Sequence, residues 1–209
     1  KPSGDTVGVR ELAIPGKARK AFAKGIRELY EKKRPDRSLR HFRKAIELYA
    51  DYDEAYVQLS LAHFQQADYA QAQHVLETGL AVNPGNTRAY VVLGLVYKQQ
   101  RQAQRAIQAW KRAVKLDENA WRAHFELGKT FLVAGNIEEA QKHAQRAHQL
   151  KPQAPSVHLL VYNLCLLQDD REAALAELDE FLALHPQNPW APQLRQRRII
   201  LRQSLGFSP

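Results

Sequence analysis

Methionine is missing from this 209-residue chain, and cysteine occurs once. Each shortage excludes something. The single thiol, Cys165, cannot close a disulfide within the chain and rules out a cysteine-based zinc site. No window approaches the roughly 18 apolar residues of a membrane-spanning helix. No glycine-rich phosphate loop, HExxH or nucleophile elbow is present, so the common signatures of phosphate binding, zinc proteolysis and acyl transfer are missing. No catalytic residue, cofactor or metal site is expected, and the chain is read as a non-enzyme. The absence of methionine has no physical account. The chain opens on Lys1 without a signal-peptide pattern, and the expectation is a processed or trimmed piece.

What is present is helical. Ala, Leu, Gln, Arg and Glu dominate, and β-branched residues are sparse. The net charge of +9 is banded rather than continuous. Residues 1–50 carry net +8, 51–84 net −5, 85–118 net +5 and 153–186 net −5.

The bands follow a repeat. In "HFELGKTFLVAGNIEEA", His124 to Ala140, a glycine sits mid-helix at 128, where it costs about 1 kcal/mol relative to alanine. Stepping back by 34 residues takes Gly128 to Gly94 and Ser60, and stepping forward reaches Tyr162. Ala140 steps to Ala106, Ala72 and Ala174; Phe131 to Tyr97, His63 and Cys165; Ala147 to Ala113, Gly79 and Phe181. A fixed period with small and aromatic positions in phase predicts a repeat architecture.

Each unit reads as two helices. One is predicted over about 122–134, ending at Gly135 in a left-handed turn. Asn136 then caps the next, about 137–149, with Glu139 three residues on; Asp68 and Asp170 occupy equivalent cap positions. Lys151-Pro152 stops it. Gly128 and Ala140 are expected to face each other where the antiparallel helices approach. Tyr162 and Phe181 are too large for that pattern, so the last repeat is expected to splay or to pack on something else. In the first repeat Gly25 sits one place early, which leaves its register open by one residue.

These residues resemble the tetratricopeptide repeat, a helix-turn-helix unit of 34 residues. The resemblance rests on Tyr90, Leu93-Gly94, Tyr97, Ala106, Trp110 and Ala113, and on His124, Leu127-Gly128, Phe131, Ala140, Ala144, Ala147 and Pro152. It implies an all-α, right-handed α-α superhelix of about five repeats with a C-terminal capping helix. The boundaries are a tail or linker at 1–16, repeats at about 17–50, 51–84, 85–118, 119–152 and 153–186, and a cap at 187–209. Trp190, Leu194, Leu201 and Leu205 are expected to form the cap's apolar stripe.

The resemblance also implies a concave groove lined by first-helix positions. They are Val57, Leu61, Arg88, Val91, Leu95, Lys98, Arg122, Phe125, Lys129, Leu159 and Asn163. Such a groove suits an extended or helical segment of another protein, with apolar anchors and an acidic group. The alternative is that part of the apolar row packs between repeats and the cations form a solvated rim. The basic clamp used by family members that bind acidic chaperone tails is not expected, because Val57, Val91, Phe125 and Leu159 stand where its lysines belong. His124 and His158 share a repeat position and are expected to be packing residues. Cys165 is expected to be a core thiol.

A second reading is nucleic-acid binding, RNA above all, or docking on an anionic surface through "EKKRPDRSLRHFRK", 31–44. Against it, the aromatics fall at core positions rather than among the cations. The opposed charge bands also suit self-association. The linker-like leader and Gln-rich repeats resemble those of bacterial exported repeat proteins, which favours a soluble chain in an extracytoplasmic setting.

Overall fold

A left-handed residue recurs every 34 positions and sets the turn of each helix pair. Lys33, Ala67, Arg101, Gly135 and Asp169 have φ of 52°, 59°, 61°, 76° and 55°. A residue with a Cβ costs roughly 1–2 kcal/mol in this conformation. The helix that follows offsets part of that cost through its cap. Asp68, Asn136 and Asp170 each accept a hydrogen bond from the backbone N–H three residues on, at 3.3, 3.3 and 3.0 Å.

The computed structural model describes residues 13–206. Residues 1–12 of the expected tail, and 207–209 of the expected cap, lie outside the described residues. Among the described residues all regular structure is helical. The described residues divide into two compact units, parted between Leu116 and Asp117.

The first unit holds three helix pairs. They are α1 (Gly16–Ile26) with α2 (Pro35–Leu48), α3 (Asp53–Gln65) with α4 (Tyr69–Val82), and α5 (Thr87–Gln99) with α6 (Ala103–Leu116). The second holds α7 (Trp121–Val133) with α8 (Ile137–Leu150), α9 (Pro155–Leu167) with α10 (Arg171–Leu184), and α11 (Ala191–Ser204). Helices α7 and α8 differ from the expected bounds by one residue, within ordinary fraying.

The first repeat's irregularity has a cause. After Ile26, α1 continues as a π-helical turn, Arg27–Glu31. Such a turn accommodates one extra residue in a helix. Gly25 therefore lies 17 residues before Phe42, its packing partner, whereas Gly94 lies 16 before Trp110. By Lys33 the 34-residue register is restored.

The small residues are close-approach sites. A Cβ on Gly94 would fall inside the Trp110 indole. A Cβ on Gly128 would meet Leu160 Cδ2 at 3.1 Å, Ala144 N at 3.2 Å and Ala140 O at 3.3 Å. Gly128 does face Ala140, across α7 and α8.

At the end of the second unit, Tyr162 and Phe181 are both buried in one cluster with Leu178, Leu194 and Leu201. Of the two expected outcomes, the last pair packs on something else, namely α11. Leu194 and Leu201 carry the cap's apolar stripe and Leu205 borders it, but Trp190 precedes α11 and is 49% exposed. Arg198 on α11 binds the Asp179 carboxylate on α10.

Candidate functional site

Positions three, four and seven apart share a helix face, so the predicted groove residues line up on α3, α5, α7 and α9. What that face presents differs between the two units.

In the first unit Val57 is 1% and Val91 8% exposed. Leu61 and Leu95 are half-buried, and Arg88 and Lys98 are exposed. Arg88 is engaged: its Nη1 lies 2.5 Å from Glu54 Oε1. Gln58 Nε2 donates to the same oxygen at 2.8 Å, and Tyr30 donates through its hydroxyl to Gln58 Oε1 at 2.8 Å. A polar ladder thus runs from the π-turn across α3 to α5. Burial pushes the Glu54 carboxyl up, while the Gln58 hydrogen bond and the Arg88 charge oppose the shift.

In the second unit the face is more open. Arg122 is exposed, with its guanidinium 5.3 Å from the Trp121 ring centroid. Lys129 Nζ lies 4.9 Å from the Phe125 ring centroid and 3.7 Å from Glu126 Oε1. Phe125 is half-buried over Ala147, Ala154 and Val157. On α9, Leu159 is half-buried against the Phe181 cluster and Asn163 is exposed. Lys129 thus stands on the Phe125 ring and Arg122 on the Trp121 ring, one turn apart on α7.

The basic segment 31–44 is partly paired with carboxylates that flank it. Lys32 binds Glu28 at 2.7 Å, and Lys44 binds Glu47 at 3.0 Å. Phe42, the aromatic within the segment, is fully buried, so no base could stack on it. Cys165 is half-buried, and burial pushes its thiol up, away from nucleophilic use.

The histidines are more than packing residues. His124 is buried, and its Nδ1 lies 2.9 Å from His143 Nδ1, so one ring donates and the other accepts. Burial pulls His124 down. His63 is likewise buried and pulled down by burial, with the Asp68 carboxylate opposing the shift and Arg43 adding to it. A histidine lowered in the folded state contributes stability above its unfolded value near 6.5 that is lost as pH falls. Acid unfolding is therefore expected to set in below about pH 6.5. His63→Phe, which keeps a ring in place, should flatten that limb in thermal melts from pH 7.5 to 5. An unchanged limb would assign the acid sensitivity elsewhere.

His158 is packed as expected, fully buried against Phe181, and it also makes two polar contacts. Its Nδ1 lies 2.9 Å from Glu177 Oε2 and its Nε2 2.5 Å from the Pro152 carbonyl oxygen. His148, Glu177 and Glu180 converge on it, and together they are the group that could hold a metal ion among the described residues. They come from α8, α9 and α10, at spacings that form no motif, so sequence reasoning passed over them.

Paired helices, in-phase turns and small-for-large packing define an α-helical repeat protein. The tetratricopeptide-repeat family matches over residues 29–95 and again over 92–155. The chain belongs to the tetratricopeptide-repeat family, whose fold is a scaffold for protein–protein interaction. Comparison with curated proteins returns no match. Solved structures share the fold. PilF of Pseudomonas aeruginosa superposes with a TM-score of 0.79 at 20% identity, over 91% of this chain and 85% of that one. TTC0263, a thermophilic TPR protein of Thermus thermophilus, gives 0.68 at 20% identity, over 88% and 98%. YrrB, described as a TPR protein with an unusual peptide-binding site, gives 0.60 at 23% identity, over 86% and 92%. No described helix is long and apolar enough to cross a membrane.

Proposed function

We propose that this chain is a non-enzymatic scaffold that binds a peptide or helix of a partner protein on the α7–α9 face of its second unit. The observation that carries this reading is the half-exposed Phe125, with the Lys129 ammonium on its ring and Arg122 exposed one turn before it on α7. An apolar side chain would pack on Phe125 beside Leu159, Asn163 would hydrogen-bond the partner's backbone, and an acidic group would meet the cations. YrrB's peptide-binding site, on the same fold, supports this reading. The first unit would offer a face of the same kind by itself, through Leu61, Leu95 and Lys98; Val57 and Val91 would serve it by packing, and Arg88 only by leaving Glu54. The proposed setting is extracytoplasmic.

The test is affinity capture from the native organism's extract with the wild-type chain and the Phe125→Ala, Lys129→Glu double variant. Circular dichroism should show both equally helical, since both side chains are partly exposed. Nuclease-treated and moderate-salt arms are run in parallel. A protein retained by the wild type and lost from the variant supports the face. Equal retention moves the site off α7. Recovery that vanishes with nuclease would replace this reading with nucleic-acid binding through 31–44.

A further inference from the structure

The second unit carries a cluster that the interaction reading leaves unused. His148 sits in the last turn of α8, His158 in the first turn of α9, and Glu177 and Glu180 three apart on α10. One ligand atom from each of the four lies within 4.8 Å of all the others.

Glu177 stands at the centre. Its Oε2 is 2.9 Å from His158 Nδ1 and its Oε1 is 3.9 Å from His148 Nδ1. One carboxylate therefore addresses two imidazoles. On its other side His158 Nε2 meets the Pro152 carbonyl, which can only accept, so that nitrogen carries the proton. In a neutral imidazole Nδ1 is then a lone pair, and it points at a carboxylate that also offers only lone pairs. Two acceptors face each other in a place where His158 is 1% exposed. Two arrangements resolve this: an imidazolium donating from both nitrogens, which burial opposes but the Glu177 carboxylate and the Pro152 carbonyl favour by pushing His158 up, or a metal ion on Nδ1. A metal ion does so in a familiar way: a ligating histidine usually donates its second N–H to a backbone carbonyl or carboxylate, which fixes its tautomer. His148 turns its Nδ1 toward the same carboxylate, so two imidazole nitrogens face Glu177.

We propose that His148, His158, Glu177 and Glu180 form a binding site for a first-row divalent metal ion, with zinc the best match. Two neutral imidazoles and two carboxylates balance a charge of +2, and four nitrogen and oxygen donors suit tetrahedral zinc. Tetrahedral zinc–nitrogen and zinc–oxygen bonds of about 2.0–2.2 Å require His148 and Glu180 to close in, and the 2.9 Å His158–Glu177 pair to open to about 3.4 Å. The two that must move most freely can do so. Glu180 is exposed and His148 half-buried, whereas His158 and Glu177 are the inner pair. The exposed side is also the entry path. By linking α8, α9 and α10, the ion would lock these helices together in the second unit.

The test uses the full chain, freed of metal with a chelator, and titrates zinc by calorimetry near pH 7.5. Cobalt(II) is added separately as a spectroscopic probe. The expected result is one zinc per chain, a visible cobalt absorption of tetrahedral intensity, and a rise in Tm with zinc. His148→Gln and Glu180→Gln are not fully buried and should fold; each is expected to weaken zinc by at least about tenfold and to reduce the cobalt bands. His74→Gln, an exposed histidine elsewhere, should change neither. No zinc bound at stoichiometric concentration would overturn the proposal and leave His158 as a buried imidazolium paired with Glu177. So would binding that His148→Gln and Glu180→Gln leave unchanged.

Discussion

Phe181→Ala is expected to destabilise the second unit by about 3–5 kcal/mol, the usual cost of emptying a buried aromatic site. Phe181 is fully buried among Tyr162, Leu178, Leu194 and Leu201. That cluster is the contact through which α11 covers the last helix pair. Its loss would leave a cavity lined from both sides and expose apolar surface on α10 and α11 together. Urea unfolding followed by circular dichroism measures the cost. Trp190, just before α11, supplies a local fluorescence signal that should change at lower urea in the variant. A cost below about 1 kcal/mol would mean that α11 closes the gap without its aromatic partner.

Gly94→Ala is expected to destabilise the first unit by about 1–3 kcal/mol, although alanine is the better helix former by about 1 kcal/mol. The added methyl has nowhere to go. Trp110 is fully buried, and its Nε1–H donates to the Val91 carbonyl at 3.1 Å, so the indole is held in the space the methyl needs. The repeat itself suggests the rescue. The equivalent pair one repeat earlier is Ser60 with Leu76, a slightly larger residue against a smaller one. Gly94→Ala with Trp110→Leu should lose less than the two single costs combined, a coupling that a double-mutant cycle reads directly. Gly128→Ala should cost less than Gly94→Ala, because its first neighbour is the movable end of Leu160. Equal costs at 94 and 128 would remove the indole clash as the cause.

Much of the molecule was legible because repeats write local rules several times over. The 34-residue period, the helix pairs, the Asp68, Asn136 and Asp170 caps and the turn at Gly135 all follow from residue types acting on their near neighbours. So does the closeness of Gly128 and Ala140, since each small residue recurs in phase with the other. Even the misplaced Gly25 signalled its own irregularity.

Other features depend on what happens between helices. Lys33, Ala67 and Arg101 carry no sign of a left-handed backbone in their residue type; only their 34-residue phase with Gly135 marks them. The π-turn shows in the sequence only as a slipped register, and its position at Arg27–Glu31 emerges from hydrogen bonding. Periodicity put Val57, Val91, Phe125 and Leu159 in one row but could not distinguish the buried pair from the half-open pair. Nor could it see that Arg88 is held by Glu54. His148, His158, Glu177 and Glu180 lie up to 32 residues apart on three helices. The sequence determined that this protein is a stack of helix pairs, since that requires only local pattern. Which side chains meet at bonding distance was decided by tertiary structure, since angstrom-scale approach between helices sets the charge and coordination chemistry there.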